Sequence, residues 1–327
     1  MFTLCALGIC LSCAAGCQPV KINTIDQQLR ASNNRDWSPQ YTQLARADFE
    51  GDRVTIHNIR NNHYLTEKDF VINYYDRTID LNDVRSVDFI VVPFNDSDSL
   101  AHTMLSFALA DGTYIVASVE VRTEKGESYS PWLGLNRQFE LTYIVADELD
   151  VIRLRTRHRE ASVYVYPTIA QPQQARELLV DILLRANKLA EKPEFYDTVR
   201  NNCTTNLVRH VNKLYPKRVP FAMPILLSGR SDRYAYELGL LDNQIDFERL
   251  KAAAYVSDLA EQYHDNPQFS NLIRSRHRSL ERLVSSKQTR TASRSQSQAG
   301  SAKNTADSRS ADLDDFDPDD PTLSIED

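Results

Sequence analysis

Cysteine is scarce in this chain: five in 327 residues, and four of them (Cys5, Cys10, Cys13 and Cys17) fall within the first 17 positions. Only Cys203 stands in the body of the sequence. That excludes a disulfide framework there, and the cysteine and histidine spacings fit no zinc pattern, so no metal and no other cofactor is expected. Long apolar runs are missing too. "MFTLCALGICLSCAAGC" is too short to span a bilayer, and no later stretch is apolar for long enough. Basic excess is absent, with a net charge of −7 and no cationic stripe, so a nucleic-acid partner finds no support. No internal repeat is present.

What the chain does have begins with an export signal. The apolar run over 1–17 closes on small residues and suits a signal peptide. Its end, "AAGC", is similar to a lipobox, with alanine where leucine is usual, and would make Cys17 a lipidation site that tethers the chain to a membrane. An ordinary signal peptide with incidental cysteines is the alternative. After an N-terminal segment (18–45), residues 46–283 are long enough for one substantial domain with a helical C-terminal extension. Residues 284–327 are Ser/Thr/Gln-rich and then acidic, and bury too little to order; a disordered tail is expected.

Strand-like runs fill the first half of the domain: 53–59, 87–94, 101–109, 114–122, 138–145, 150–156 and 162–167, rich in β-branched and aromatic residues. Helical text follows, from Pro172 to before Pro193, from Cys203 to Tyr215, and near 247–263 and 268–283. An antiparallel sheet followed by packed helices makes an α+β class.

Asn201 or Asn202 suits the cap of the helix that opens at Cys203, and the first turn of a helix favours a thiolate. Cys203, Leu207, Val211 and Leu214 share one helix face, which fits both a reactive thiol and a buried, inert one. A thiol nucleophile needs a base. His210 is two turns away on the same helix, and His63, His158, His264 and His277 sit in polar text, which leaves His57 and His102. Around Asp111-Gly112 a hairpin with a three-residue loop would pair Leu109 with Thr113 and set His102 opposite Glu120. His102, Ser106, Ser118 and Glu120 then share one face. Glu120 would orient the imidazole there, or else form a plain cross-strand ion pair.

"AHTMLSF", "SVEVR", "GESYSPWLGLNRQFELTYIV" and "NNCTTN" resemble the Lnb N-terminal periplasmic domain family, over about Val54 to Arg274. The resemblance implies a circularly permuted papain-like, NlpC-type fold in the periplasm, with Cys203 as nucleophile, His102 as base and Glu120 as third member. Asn202 and Asn201 would cap the helix and assist an oxyanion site. It further implies acyl transfer through a thioester, as in a lipoprotein N-acyltransferase, with a lipid or lipoprotein substrate at the membrane surface. Such an enzyme couples this domain to a membrane-embedded region, whereas the residues after 283 are expected to form a hydrophilic tail. Hydrolysis of envelope peptides by the same thiol, or a binding module without catalysis, are the alternatives. "VPFAMPILL" (219–227) would line an acyl groove or pack on the core, and Arg200 and Arg209 would meet lipid head groups or solvent.

Overall fold

The structure, a computed structural model, describes residues 29–94, 99–215, 218–220 and 228–280, with 24, 27, 222 and 282 besides. The signal region with Cys17, most of 219–227 and the tail from 283 lie outside the described residues. The chain forms two compact units, Met1–Arg274 and Ser275–Asp327. In the second, residues 275–280 are helical.

In the first unit the strands are β1 (Arg46–Glu50), β2 (Arg53–Arg60), β3 (His63–Tyr64), β4 (Phe70–Val71), β5 (Tyr74–Asp80), β6 (Val84–Pro93), β7 (Ala101–Leu109), β8 (Tyr114–Arg122), β9 (Glu140–Asp147) and β10 (Tyr164–Pro167). The main sheet has eight strands in the order β1-β2-β9-β8-β7-β6-β10, with β5 also on β2; β3 and β4 pair apart. Pairing is antiparallel except between β2 and β9. The helices are α1 (Pro131–Leu135), α2 (Glu148–Arg153), α3 (Pro172–Glu191), α4 (Cys203–Leu214), α5 (Ser231–Glu237), α6 (Phe247–Ala254), α7 (Ser257–Gln262) and α8 (Phe269–Leu272). The protein is thus a mixed α/β structure built on one large sheet.

The β7–β8 hairpin turns as its sequence predicts. Gly112 takes a positive φ of 83°, the Leu109 N–H donates to the Thr113 carbonyl at 2.9 Å, and Met104 faces Ser118. Because strand side chains alternate, this register separates two faces. Leu105, Phe107, Ile115 and Val119 point into one core, covered by Leu179, Ile182 and Leu183 of α3 and Leu207 of α4. Met104, Val116 and Ile144 point into a second core, with Val151 and Ile152 of α2, Ala260 of α7 and Phe269 of α8.

Residues 150–156, expected as a strand, are helical: α2 continues into a π-turn over Leu154–His158. Asp147 caps α2 by accepting from the Leu149 N–H, and its first turn is acidic. The β-branched pair Val151-Ile152 suggests a strand, yet the cap and the buried partners of Asp150 and Glu148 impose a helix.

Candidate functional site

Asn202 caps α4. Its side-chain oxygen accepts from the Thr205 N–H at 2.8 Å, while Thr205 Oγ1 accepts from the Asn202 N–H at 2.9 Å. One Asn202 amide hydrogen is committed to the Thr198 carbonyl at 2.7 Å, which fixes the capping side chain. Asn201 does not cap. Its amide donates to the Phe195 carbonyl at 2.8 Å, and its oxygen accepts from Asn206 at 3.0 Å and Arg209 at 2.7 Å. Cys203 is therefore the first helical residue, where backbone N–H groups lack intrahelical partners. Its side chain is 9 % exposed and lies in the core with Val119 and Tyr196. Sγ is 3.8 Å from Thr204 Oγ1, and Thr204 Oγ1 is 3.1 Å from Thr103 Oγ1. Burial, then the neighbouring Cys203, push the Tyr196 phenol up.

His102 and Glu120 meet as the hairpin register predicts, joined by Ser118. Nε2 of His102 is 2.8 Å from Ser118 Oγ, Ser118 donates to Glu120 Oε1 at 2.9 Å, and the direct His102–Glu120 separation is 3.8 Å. Since the serine proton goes to Glu120, His102 Nε2 carries the proton of its own bond and Nδ1 is the ring's acceptor. Tyr41 donates to Glu120 Oε2 at 2.9 Å, and Arg155 reaches Oε1 at 3.4 Å. Burial, with Arg155 as second cause, pushes the imidazole down to about 3 against the pull of Glu120. Burial alone would raise the Glu120 carboxyl, but Arg60 and Arg155 outweigh it and hold it well below the usual range. The neighbouring Arg60–Asp150 pair (2.7 Å) is 2 % and 0 % exposed.

These two constellations do not join. Cys203 belongs to the core of Leu105 and Val119, whereas His102 projects with Met104 and Ser118 into the opposite face. Strand parity sets the two expected partners apart: His102 stands one residue from Thr103, the β7 residue that faces α4. An imidazole pushed down to about 3 is also a weak proton acceptor near neutrality. His57, the other strand histidine, pairs with Asp76 at 2.7 Å and Asp48 at 3.0 Å, remote from Cys203 on β2.

Two features escape a reading of the sequence. His210 is buried, donating Nδ1–H to Asp181 Oδ2 at 2.7 Å with Nε2 2.7 Å from the Tyr143 hydroxyl, whose oxygen is also 3.2 Å from Asn206 Oδ1. Asn206 in turn donates to the Asn202 carbonyl at 2.8 Å, so this chain of bonds ends on the residue before the thiol. Second, a cavity of about 230 Å³ runs along α4, lined by Phe89, Leu105, Thr204, Leu207, Val211 and Leu238 among others. It continues the stripe that Cys203 heads. Of the segment 219–227, Val219 lines it.

Residues 71–229 match the Lnb N-terminal periplasmic domain family. His102, Glu120 and Cys203 all lie inside the matched segment. No curated protein and no solved structure matches the chain. Among the described residues no helix is long and apolar enough to cross a membrane.

Proposed function

We propose that this chain is an envelope acyl-transfer protein that carries its acyl group on Cys203 and works without His102. What supports the reading is the apolar cavity along α4, lined by Thr204, Leu207 and Val211; Cys203 does not itself line it, but its Sγ is 3.8 Å from Thr204 Oγ1. The cavity volume, about 230 Å³, is a little under the roughly 300–1,000 Å³ of small-molecule sites, suited to one chain and not to a bulky head group. A peptide substrate would call for a largely polar site, whereas this lining is mostly apolar, with Thr168, Gln174, Arg218 and Ser231 among its few polar members.

In the first step the sulfur attacks an ester carbonyl. The C–S bond forms, the C–O bond breaks, and the thiol proton leaves with the alcohol. An amine then attacks the thioester; the C–N bond forms, the C–S bond breaks, and a proton returns to sulfur. The Cys203 N–H, in the first turn of α4, faces the developing oxyanion, a contribution on the order of 3 kcal/mol per donor in other enzymes. Intact mass before and after neutral hydroxylamine tests this on protein taken from membranes. A labile acyl adduct is expected on the wild type and not on Cys203→Ser. An adduct that persists in Cys203→Ser, or a wild type that carries none and whose Cys203 is inert to a small alkylating agent, would sink the reading.

A further inference from the structure

The exposed large apolar side chains are not scattered evenly. Tyr129, Trp132, Leu135 and Val199 are all between 40 % and 72 % exposed and belong to two segments that touch. Thr198 Oγ1 donates to the Pro131 carbonyl at 2.8 Å, and Tyr129 meets Tyr196 edge-on at 6.1 Å. Gly134 allows the approach: a Cβ there would stand 2.4 Å from Thr198 Oγ1 and 3.2 Å from the Tyr196 ring. The short helix α1 is thus seated on the loop 196–199, four residues ahead of Cys203 at its near end. Two exposed arginines, Arg137 and Arg200, flank the patch.

Contiguous exposed apolar surface of this kind marks an interaction site. Its composition selects the partner. Tyr and Trp carry an apolar body and a polar tip, the pair that settles at the level of lipid head groups, and arginines beside them complement anionic lipids. We propose that Tyr129, Trp132, Leu135 and Val199 form a bilayer-docking patch that lays the Cys203 end of α4 against an anionic lipid surface. The patch stands on its own geometry; its use, delivery of lipid to the thiol, rests on the acyl-transfer reading.

The chain has two tryptophans, and Trp37 is buried, so Trp132 reports the surface directly. The full chain is mixed with vesicles of phosphatidylethanolamine and phosphatidylglycerol, with and without bromine on the acyl chains. Quenching by bromolipid is expected, at least twofold above that of Trp132→Phe, and reduced in Arg137→Gln/Arg200→Gln only where phosphatidylglycerol is present. Equal quenching in wild type and Trp132→Phe would overturn the proposal. So would vesicle binding with Trp132 unquenched, which leaves attachment to another part of the chain. A blue shift that follows protein concentration without lipid would assign the patch to a second copy and overturn it equally. None of these readouts needs Cys203, so the patch and the thioester can fail separately.

Discussion

The two faces of the β7–β8 hairpin carry opposite chemistry only one residue apart. On one, Thr103, Leu105 and Val119 meet a helix that begins with a thiol and runs beside an apolar cavity. On the other, His102, Ser118 and Glu120 are locked into buried arginines and Tyr41. The first face has open volume and few committed polar groups. The second has many titratable groups, nearly all of them committed to each other. Perturbed ionisation is a pointer to function, yet here it follows from a closed charge network, while the open volume lies on the largely apolar face.

The contrast can be broken first through the buried ion pair. Asp150→Asn takes the paired carboxylate from Arg60 at 2 % exposure, leaving Glu120 as its nearby anion, and should cost about 3 kcal/mol in urea unfolding. A loss under about 1 kcal/mol would mean that water reaches the network and that this face is more open than described.

His102 supplies a pH test. Held at about 3 when folded against 6.5 ordinarily, it binds fewer protons folded than unfolded between those values. Stability is therefore full above about pH 6.5 and drains as pH falls through the window, on the order of 3 kcal/mol by pH 4. His102→Asn should flatten this part of the acid arm in denaturant midpoints. An unchanged slope would assign the acid loss to other groups.

On the apolar face the expected losses are smaller. Leu207→Ala enlarges an existing cavity and should cost about 2 kcal/mol, the low end for a buried leucine, while lengthening the acyl chain accepted. Asn202→Ala removes the cap and should cost about 1 kcal/mol, with a faster alkylation of Cys203 as the first turn frays. Cap loss without any change in alkylation would detach the thiol from its helix terminus.

Much of this was legible in the residues. Period-two runs and Asp111-Gly112 give β7, β8 and their register, and with it the meeting of His102 and Glu120. The helix starts at Pro172 and Cys203 follow from proline and asparagine chemistry. Edge strands β1 and β5, "RADFE" and "YYDRTID", carry too much charge to show a pattern. Alternation could not say which face α4 covers. That is decided by packing between elements distant in sequence, Thr103 with Thr204 above all. His210 illustrates the same limit: correctly too far along its helix to serve Cys203, it gains its role from Asp181 and Tyr143, which only the fold supplies.

The most direct test of the central claim compares the hydroxylamine-labile acyl adduct by intact mass in wild type, Cys203→Ser and His102→Ala. An adduct absent from Cys203→Ser and kept in His102→Ala at half the wild-type level or more is the predicted result. Loss of the adduct in folded His102→Ala would contradict it, and would place the base of the reaction on the face assigned here to structure.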